Sequence, residues 1–507
     1  LVAHPRGSHG ARYADTRRSS RFVVLLVSAN SNHVSAPVSG ASVREPGSGE
    51  GTLIIGGGPA GLAAAKYLAD AGRRATVLEK RDVLGGKLSS WRDRDGDILE
   101  TGLHSFFGGY DTVHALLRDV GIAHHVLWQP HTLTFAMPPG FSNRVGPRAV
   151  FEEFHFIDAP SPFNGVGAVL NAKYVFNAFE KLLFATGTLP ILVGDHGYAE
   201  RQDDITYSDW HRKRRMSEHM LATFFAPMAL ALNFTPVDRI SAEAMLRVMA
   251  YFASSKNASR AGFLDGPPVD RLIDPIADHC RRRGQRIEKD ARVAGLLFED
   301  GRCIGARCDD GRSFFADSVI LATPVHNAAR LLPPQMLRDP LVHGVGKLTS
   351  SPIINGHFWF DRPISKHTNL IFGAGTLLPV HADLGQASAG YGWPGKSFIE
   401  VCIAPADDLM KLDDEAVIER VMIDMHKLYP LATRESLVKA KLVRVPKSVY
   451  RASPGAERLR PGARTPVANL FLAGCYTNHK FPASIEGAMR SARHAVDGVL
   501  EFAGARS

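Results

Sequence analysis

LIIGGGPAGLAAAKYLADAGRRATVLE, residues 53–79, reads as one strand–helix–strand unit. Leu53, Ile54 and Ile55 form a short apolar run, as in a strand covered on both faces. Gly56, Gly58 and Gly61 follow at dinucleotide-binding spacing. The first permits a tight turn, the second admits a diphosphate to the backbone, and the third lets a helix lie close on the strand. Pro59 and Ala60 open that helix, which stops near Gly72. Its N-terminus offers unpaired N–H groups and the positive end of the helix dipole. A second strand, 75–78, leads to Glu79, an acceptor for ribose hydroxyls. Strand before, helix after and acid at the right distance separate this motif from an unrelated glycine-rich turn.

The chain has 507 residues, enough for two or three intertwined domains with a large core. Hydrophobic residues make up 45% and charged residues 22%, an ordinary globular profile. The net charge is +9, but residues 1–44 alone hold six arginines, no lysine, eight serines and one acid, Asp15. The remainder is close to balanced, which gives no case for a nucleic-acid partner. An Arg- and Ser-rich, acid-poor leader fits an organelle transit peptide; a disordered extension is the alternative. Cysteines at 280, 303, 308, 402 and 475 form no CxxC pair. That points to a reducing compartment, without disulfides or a cysteine metal site.

Downstream, Lys80 precedes a second phosphate-friendly loop, Gly85-Gly86-Lys87, where Lys87 is the charge partner. Gly102, Leu103 and His104 sit in a loop of glycines and aromatics suited to packing on a flat ring. His104 is a candidate for catalysis or for holding that loop. Met220 to Val237 is 18 residues without a formal charge, interrupted by Pro227, Asn233 and Pro236. It reads either as a buried core helix or as part of an apolar surface on a membrane. The basic run His211–Arg215 beside it favours anionic lipid if the second reading holds. Hairpin signals surround Glu299-Asp300-Gly301 and Asp309-Asp310-Gly311. Buried strands end at Ala322-Thr323 and at Gly474, and a last helix starts near Ser484 with Glu486, Gly487 and Ala488 in its first turns.

The fold class is therefore α/β. A Rossmann-like domain with a parallel sheet is assembled from 51–111, 269–330 and 462–507. Residues 112–268 form a helical, membrane-associated part of the substrate domain, and 331–461 its sheet-containing part. Residues 1–50 are leader and linker. So many separate loops wrapping one ligand point to FAD rather than an exchanging nicotinamide.

The combination Gly56–Gly61, Gly85-Gly86-Lys87, Ala322-Thr323-Pro324 and Gly474…Glu486-Gly487-Ala488 resembles the FAD-dependent amine oxidase and carotenoid desaturase superfamily. Phe107–Tyr110, Phe135–Pro138, Pro160–Gly165, Ala231–Phe234, Phe263–Pro268 and Pro446–Tyr450 narrow it to plant- and cyanobacterial-type 15-cis-phytoene desaturases. The resemblance spans about residues 52 to 500. It implies hydride transfer from a C40 polyene to FAD, reoxidation by a membrane quinone such as plastoquinone, peripheral membrane attachment and a plastid location. It implies that Arg271 meets the quinone, where an unaided reading sees an ordinary ion pair, and that the backbone at Val293 meets adenine. It also implies that the last helix starts beside the flavin. Two departures stand out: Cys475 replaces an acid that contacts FAD, and Phe481-Pro482 replaces Tyr-Leu beside the quinone site. ζ-Carotene desaturation, or another polyene desaturase or isomerase, is the alternative activity, and a non-catalytic carotenoid-binding flavoprotein the third. A homo-oligomer is left open.

Overall fold

The computed structural model describes residues 51–193 and 197–505. The leader and linker, 1–50, lie outside the described residues. Thr52–Ile55 is the middle strand of a parallel sheet in the order Arg286–Glu288, Ala75–Leu78, Thr52–Ile55, Ser318–Leu321, Leu470–Leu472. Ile54 stands level with Val77 on one side and Ile320 on the other, and all three are fully buried. Unbroken apolar strands belong in such a sheet because both faces are covered.

The helix Pro59–Asp70 returns over this sheet and packs along the last helix, Ile485–Gly504. Its buried face is mainly alanine, which keeps the two helices and the sheet close. Gly61 is the tightest point. A Cβ there would stand 1.8 Å from the carbonyl oxygen of Gly56, inside any allowed contact.

The two expected hairpins are present, joining Val293–Glu299, Arg302–Cys308 and Ser313–Phe315. Asp300 and Gly301 both take positive φ in the first turn, as a two-residue hairpin requires. The second large sheet has seven strands in the order Leu437–Val445, Ile353–Phe360, Phe398–Ile403, Val380–Asp383, Ile371–Gly373, Thr132–Met137, Val150–His155. All its neighbours are antiparallel except Ile371–Gly373 beside Thr132–Met137. It is the mixed sheet anticipated for 331–461.

One reading changes and another is decided. The segment 112–268 is not purely helical, because Thr132–Met137 and Val150–His155 cross into the mixed sheet. Of the two readings of Met220–Val237, the buried core segment is the one observed. It forms a π-turn, Leu221–Phe225, and a helix, Ala226–Asn233, then stops where Phe234 adopts a left-handed φ of 53°. Phe224 stacks on Phe135 and packs against Phe154, Phe176 and Phe184. Offset and edge-to-face ring pairs of this kind stabilise a core beyond the area they bury.

An apolar surface lies instead on the two preceding helices. Phe163, Val166 and Leu170 are exposed on Phe163–Asn171, and Phe179, Leu182 and Leu189 on Ala178–Val193. The spacing puts each set on one helix face. The carboxylate of buried Glu152 anchors the turn between them by accepting the N–H groups of Tyr174 and Val175. No helix among the described residues is long and apolar enough to cross a membrane.

Gly61→Ala should cost ~3 kcal/mol or more, because neither helix nor strand can retreat without breaking the sheet. Thermal unfolding with and without flavin checks this. An unchanged midpoint in both states would refute the close contact.

Candidate functional site

A cavity of about 910 Å³ opens where these elements converge. Eighteen of the residues anticipated for the cofactor line it: Gly56, Gly58, Pro59, Ala60, Glu79, Lys80, Gly86, Lys87, Gly102, Leu103, His104, Val293, Ala322, Thr323, Gly474, Cys475, Ser484 and Ala488. They come from both ends and the middle of the chain because parallel neighbours in the sheet are distant in sequence.

The helix Pro59–Asp70 begins at Gly58, and no side chain caps it. Its first N–H groups are left for a ligand. A Cβ on Gly58 would meet nothing nearer than Gly86 Cα at 3.8 Å, so the two glycine loops face each other across an open cradle. Glu79 accepts the backbone N–H of Gly57 at 2.8 Å and of Arg81 at 3.1 Å. Its remaining lone pairs are available to a ribose.

The cradle is cationic. Lys80, Arg81, Lys87, Arg292, Arg330 and Lys447 line it, against Glu79 and Asp309. Burial pushes the Lys87 ammonium below its usual range, and its polar contact is the Ser448 carbonyl. Burial, and then the charges of Lys87, Lys447, Lys80 and Arg330, push His326 down to about 4. A diphosphate would relieve that mutual repulsion. Thr323 Oγ1, His326 Nδ1 and the Tyr476 hydroxyl are buried without a partner, and all three residues line the cavity. Orphaned polar atoms beside a cationic cradle fit a polar, anionic dinucleotide. The same cavity has an apolar lining of Leu103, Phe107, Ala231, Leu232 and Phe234.

Four anticipated residues stand elsewhere. Gly61 serves helix packing, as the glycine spacing implied. Glu486 does not line the cavity: it is fully buried, accepts the N–H groups of Thr112 and Val113, and pairs with Arg490. It thereby caps the helix Asp111–Val120, whose N-terminus has no side-chain cap of its own. Gly487 gives its N–H to Ser484 Oγ and packs against His479. The cavity-facing residues of the last helix are therefore Ser484, Ile485 and Ala488. Arg271 lies outside the cavity lining, partly exposed, with its Nε 3.1 Å from Asp265 Oδ1. Phe481 is buried against Tyr251 with Arg490 over its ring.

Arg292, His326, Arg330 and Cys402 line the cavity without belonging to a motif. Arg330 carries no local signal because the helix Val325–Leu331 reads as ordinary surface helix in sequence. Its alignment exists only once that helix docks beside Val293, whose carbonyl it meets at 3.3 Å.

A sheet-bound cradle for a diphosphate, joined to an apolar lining, defines a FAD-dependent oxidoreductase. Residues 59–500 match the model of the flavin containing amine oxidoreductases, and the chain belongs to that family. It is 37% identical to the chloroplastic/chromoplastic 15-cis-phytoene desaturase of Narcissus pseudonarcissus, over 93% of this chain and 83% of that one. It is 36% identical to the 15-cis-phytoene desaturase of Synechococcus elongatus, over 88% and 95% of the two chains. A probable zeta-carotene desaturase of the same organism is 32% identical over 88% and 98%. Among solved structures, an oxidoreductase from Methanosarcina mazei superposes with a TM-score of 0.69 at 21% identity, covering 89% of this chain and 99% of the other.

Lys87→Met should weaken FAD binding about tenfold, or ~1.4 kcal/mol, by removing one charge from the cradle. Quenching of flavin fluorescence on titration measures it. Unaltered affinity would place the diphosphate elsewhere in the cavity.

Proposed function

We propose that this protein dehydrogenates 15-cis-phytoene towards ζ-carotene on a membrane surface, with a quinone as final acceptor. One observation carries the reading: the cationic cradle and an apolar lining share a single cavity, in a chain about 37% identical to named phytoene desaturases over nearly its whole length. A zeta-carotene desaturase is more distant, which favours phytoene as substrate.

FAD, when bound, supplies the hydride acceptor. The chain's own task is then alignment and exclusion of water. Leu103, Phe107, Leu232 and Phe234 would present carbon to a polyene. Residues from Gly56–Ala60, Gly86-Lys87 and Thr323 hold the dinucleotide end by backbone N–H groups, charge and hydroxyl. Cys475 lines the same wall but offers only a weak thiol where the family resemblance implies an acid.

Membrane contact goes to the stripe Phe163, Val166, Leu170, Phe179, Leu182 and Leu189. Exposed Lys213, Arg214 and Arg215 lie close by, since Arg214 reaches the carbonyl of Thr186. Apolar stripe and basic rim together suit an anionic bilayer. A plastid location follows the names of the plant relatives. Arg271, half-free beside Asp265, is the candidate for the quinone contact.

Purified protein with FAD, phytoene in liposomes and a quinone should yield coloured ζ-carotene. Absence of product from both phytoene and ζ-carotene would end this reading. In the same assay Arg271→Ala should raise the KM for quinone and leave flavin content unchanged. Phe179→Asp with Leu182→Asp should weaken sedimentation with anionic vesicles by on the order of 100-fold, from ~1.5–3 kcal/mol per large apolar side chain. Undiminished sedimentation would move the membrane face elsewhere.

A further inference from the structure

Gly102–His104 also carries a feature that holding a dinucleotide does not require. His104 lines the cavity, and its Nε2 lies 2.8 Å from the carbonyl oxygen of Lys87. A carbonyl only accepts, so Nε2 holds the imidazole proton. The lone pair of the neutral ring is then Nδ1, which faces Glu100 Oε2 at 3.1 Å. Glu100 is 1% exposed, and its Oε1 accepts the Tyr391 hydroxyl at 2.7 Å. Behind it stands Glu400, fully buried, with Oε1 held by Asn355 and Oε2 without a partner. His357 Nε2 accepts the backbone N–H of Glu100, so this second buried imidazole is neutral with its proton on Nδ1. Among the described residues no Lys or Arg forms an ion pair with either carboxyl.

An Nδ1 lone pair and a Glu100 carboxylate are two acceptors face to face in a dry site. Their contact demands a proton. It is therefore a one-proton site set into the wall of the flavin cavity.

We infer that His104 and Glu100 form a redox-linked proton site, which fills when reduction of the flavin brings negative charge into the cavity. The inference rests on reading the cavity as the flavin's, and its use in turnover rests on desaturation as the reaction. Each new double bond releases a hydride and a proton from the polyene. Two electrons and one proton leave as hydride to FAD. On the alkaline side, where the contact is empty beforehand, the second proton goes to Nδ1–Oε2. An acceptor of the quinone class then removes both electrons and both protons, and the site empties again.

The sign follows from the surroundings. Burial pushes Glu100 up to about 8, with the Tyr391 hydroxyl opposing. Burial pushes His104 down, opposed by the charge of Glu400 and the Lys87 carbonyl. The other titratable groups facing the pair are Lys87 on the glycine loop, His357 on Ile353–Phe360, Glu400 and Cys402 on Phe398–Ile403, and Tyr391, itself near Asp265. Burial, and then the charge of Glu100, push Glu400 well above its ordinary range, and burial pushes His357 down to about 3. With oxidised flavin the site is filled below about pH 8 and empties above it. Negative charge in the cavity raises its proton affinity, so reduction refills it only on the alkaline side.

The test is spectroelectrochemical titration of the FAD-loaded protein from about pH 6 to about pH 10, without polyene. The slope of midpoint potential against pH counts protons taken up. Wild type should take up about one proton more per flavin than Glu100→Gln above about pH 8, and the same number below it. Tyr391→Phe removes a hydrogen bond to the carboxylate, so the extra uptake should begin at higher pH. Identical slopes for wild type and Glu100→Gln across the range would overturn the site. If Glu100→Gln does not retain flavin, the infrared difference between reduced and oxidised wild type decides: proton gain by carboxylate or imidazole above about pH 8 supports the site, and its absence refutes it. No substrate enters these measurements, so a failed desaturation assay and a failed proton count are separate results.

Discussion

The helix Pro59–Asp70 rests on the turn after Thr52–Ile55 through a contact that leaves no space for even a methyl group at Gly61. Everything around the cavity inherits its position from that contact. It fixes where the uncapped helix N-terminus points, and so where an anion can sit. The parallel neighbours Ala75–Leu78 and Ser318–Leu321 then bring Glu79 and Thr323 to the same rim. Ile485–Gly504 packs along the helix and delivers Ser484 to the opposite wall. A buried carboxylate from that last helix, Glu486, also caps Asp111–Val120, which ties that helix to Ile485–Gly504.

Charge is organised around the same point. Lys80, Arg81, Lys87, Arg292, Arg330 and Lys447 all line the cavity. The wall that carries Cys475 is held from behind by buried Arg460, which donates to the carbonyls of Cys475, Thr477 and Phe481 and pairs with Glu457. Those contacts are to backbone, so the course of the wall does not depend on the side chain at 475. A thiol rather than a carboxyl at 475 would change what a ligand meets without changing where the wall runs. Phe481 is accommodated in the same way, inside an aromatic cluster with Tyr251 and Tyr110.

Much of the site was legible because dinucleotide binding is written in local spacing. Gly56, Gly58, Gly61 and Glu79 signal strand, turn and helix within one short unit, and three of them line the cavity while Gly61 holds it together. Residues that act through long-range docking were not legible. Arg330 and His326 stand on a helix with no motif, and Glu486 was read with the cofactor because it shares a turn with residues that do meet the cavity. Apolar length alone left one question open. Met220–Val237 carries no formal charge and could be core or surface; its aromatics pair inward, and the exposed stripe lies on helices of more mixed composition.

By itself the sequence determined an α/β fold with a discontinuous FAD-binding domain, a mixed second sheet and a family resemblance that comparison with relatives upheld. These depend on short-range patterns: glycine spacing, apolar runs and hairpin turns. Only the tertiary structure decided which apolar surface stays exposed, which cations converge, and that Glu100, His104 and Glu400 share one buried network. Those outcomes depend on which faces meet when distant segments pack, and a face has no sequence until its partner is known.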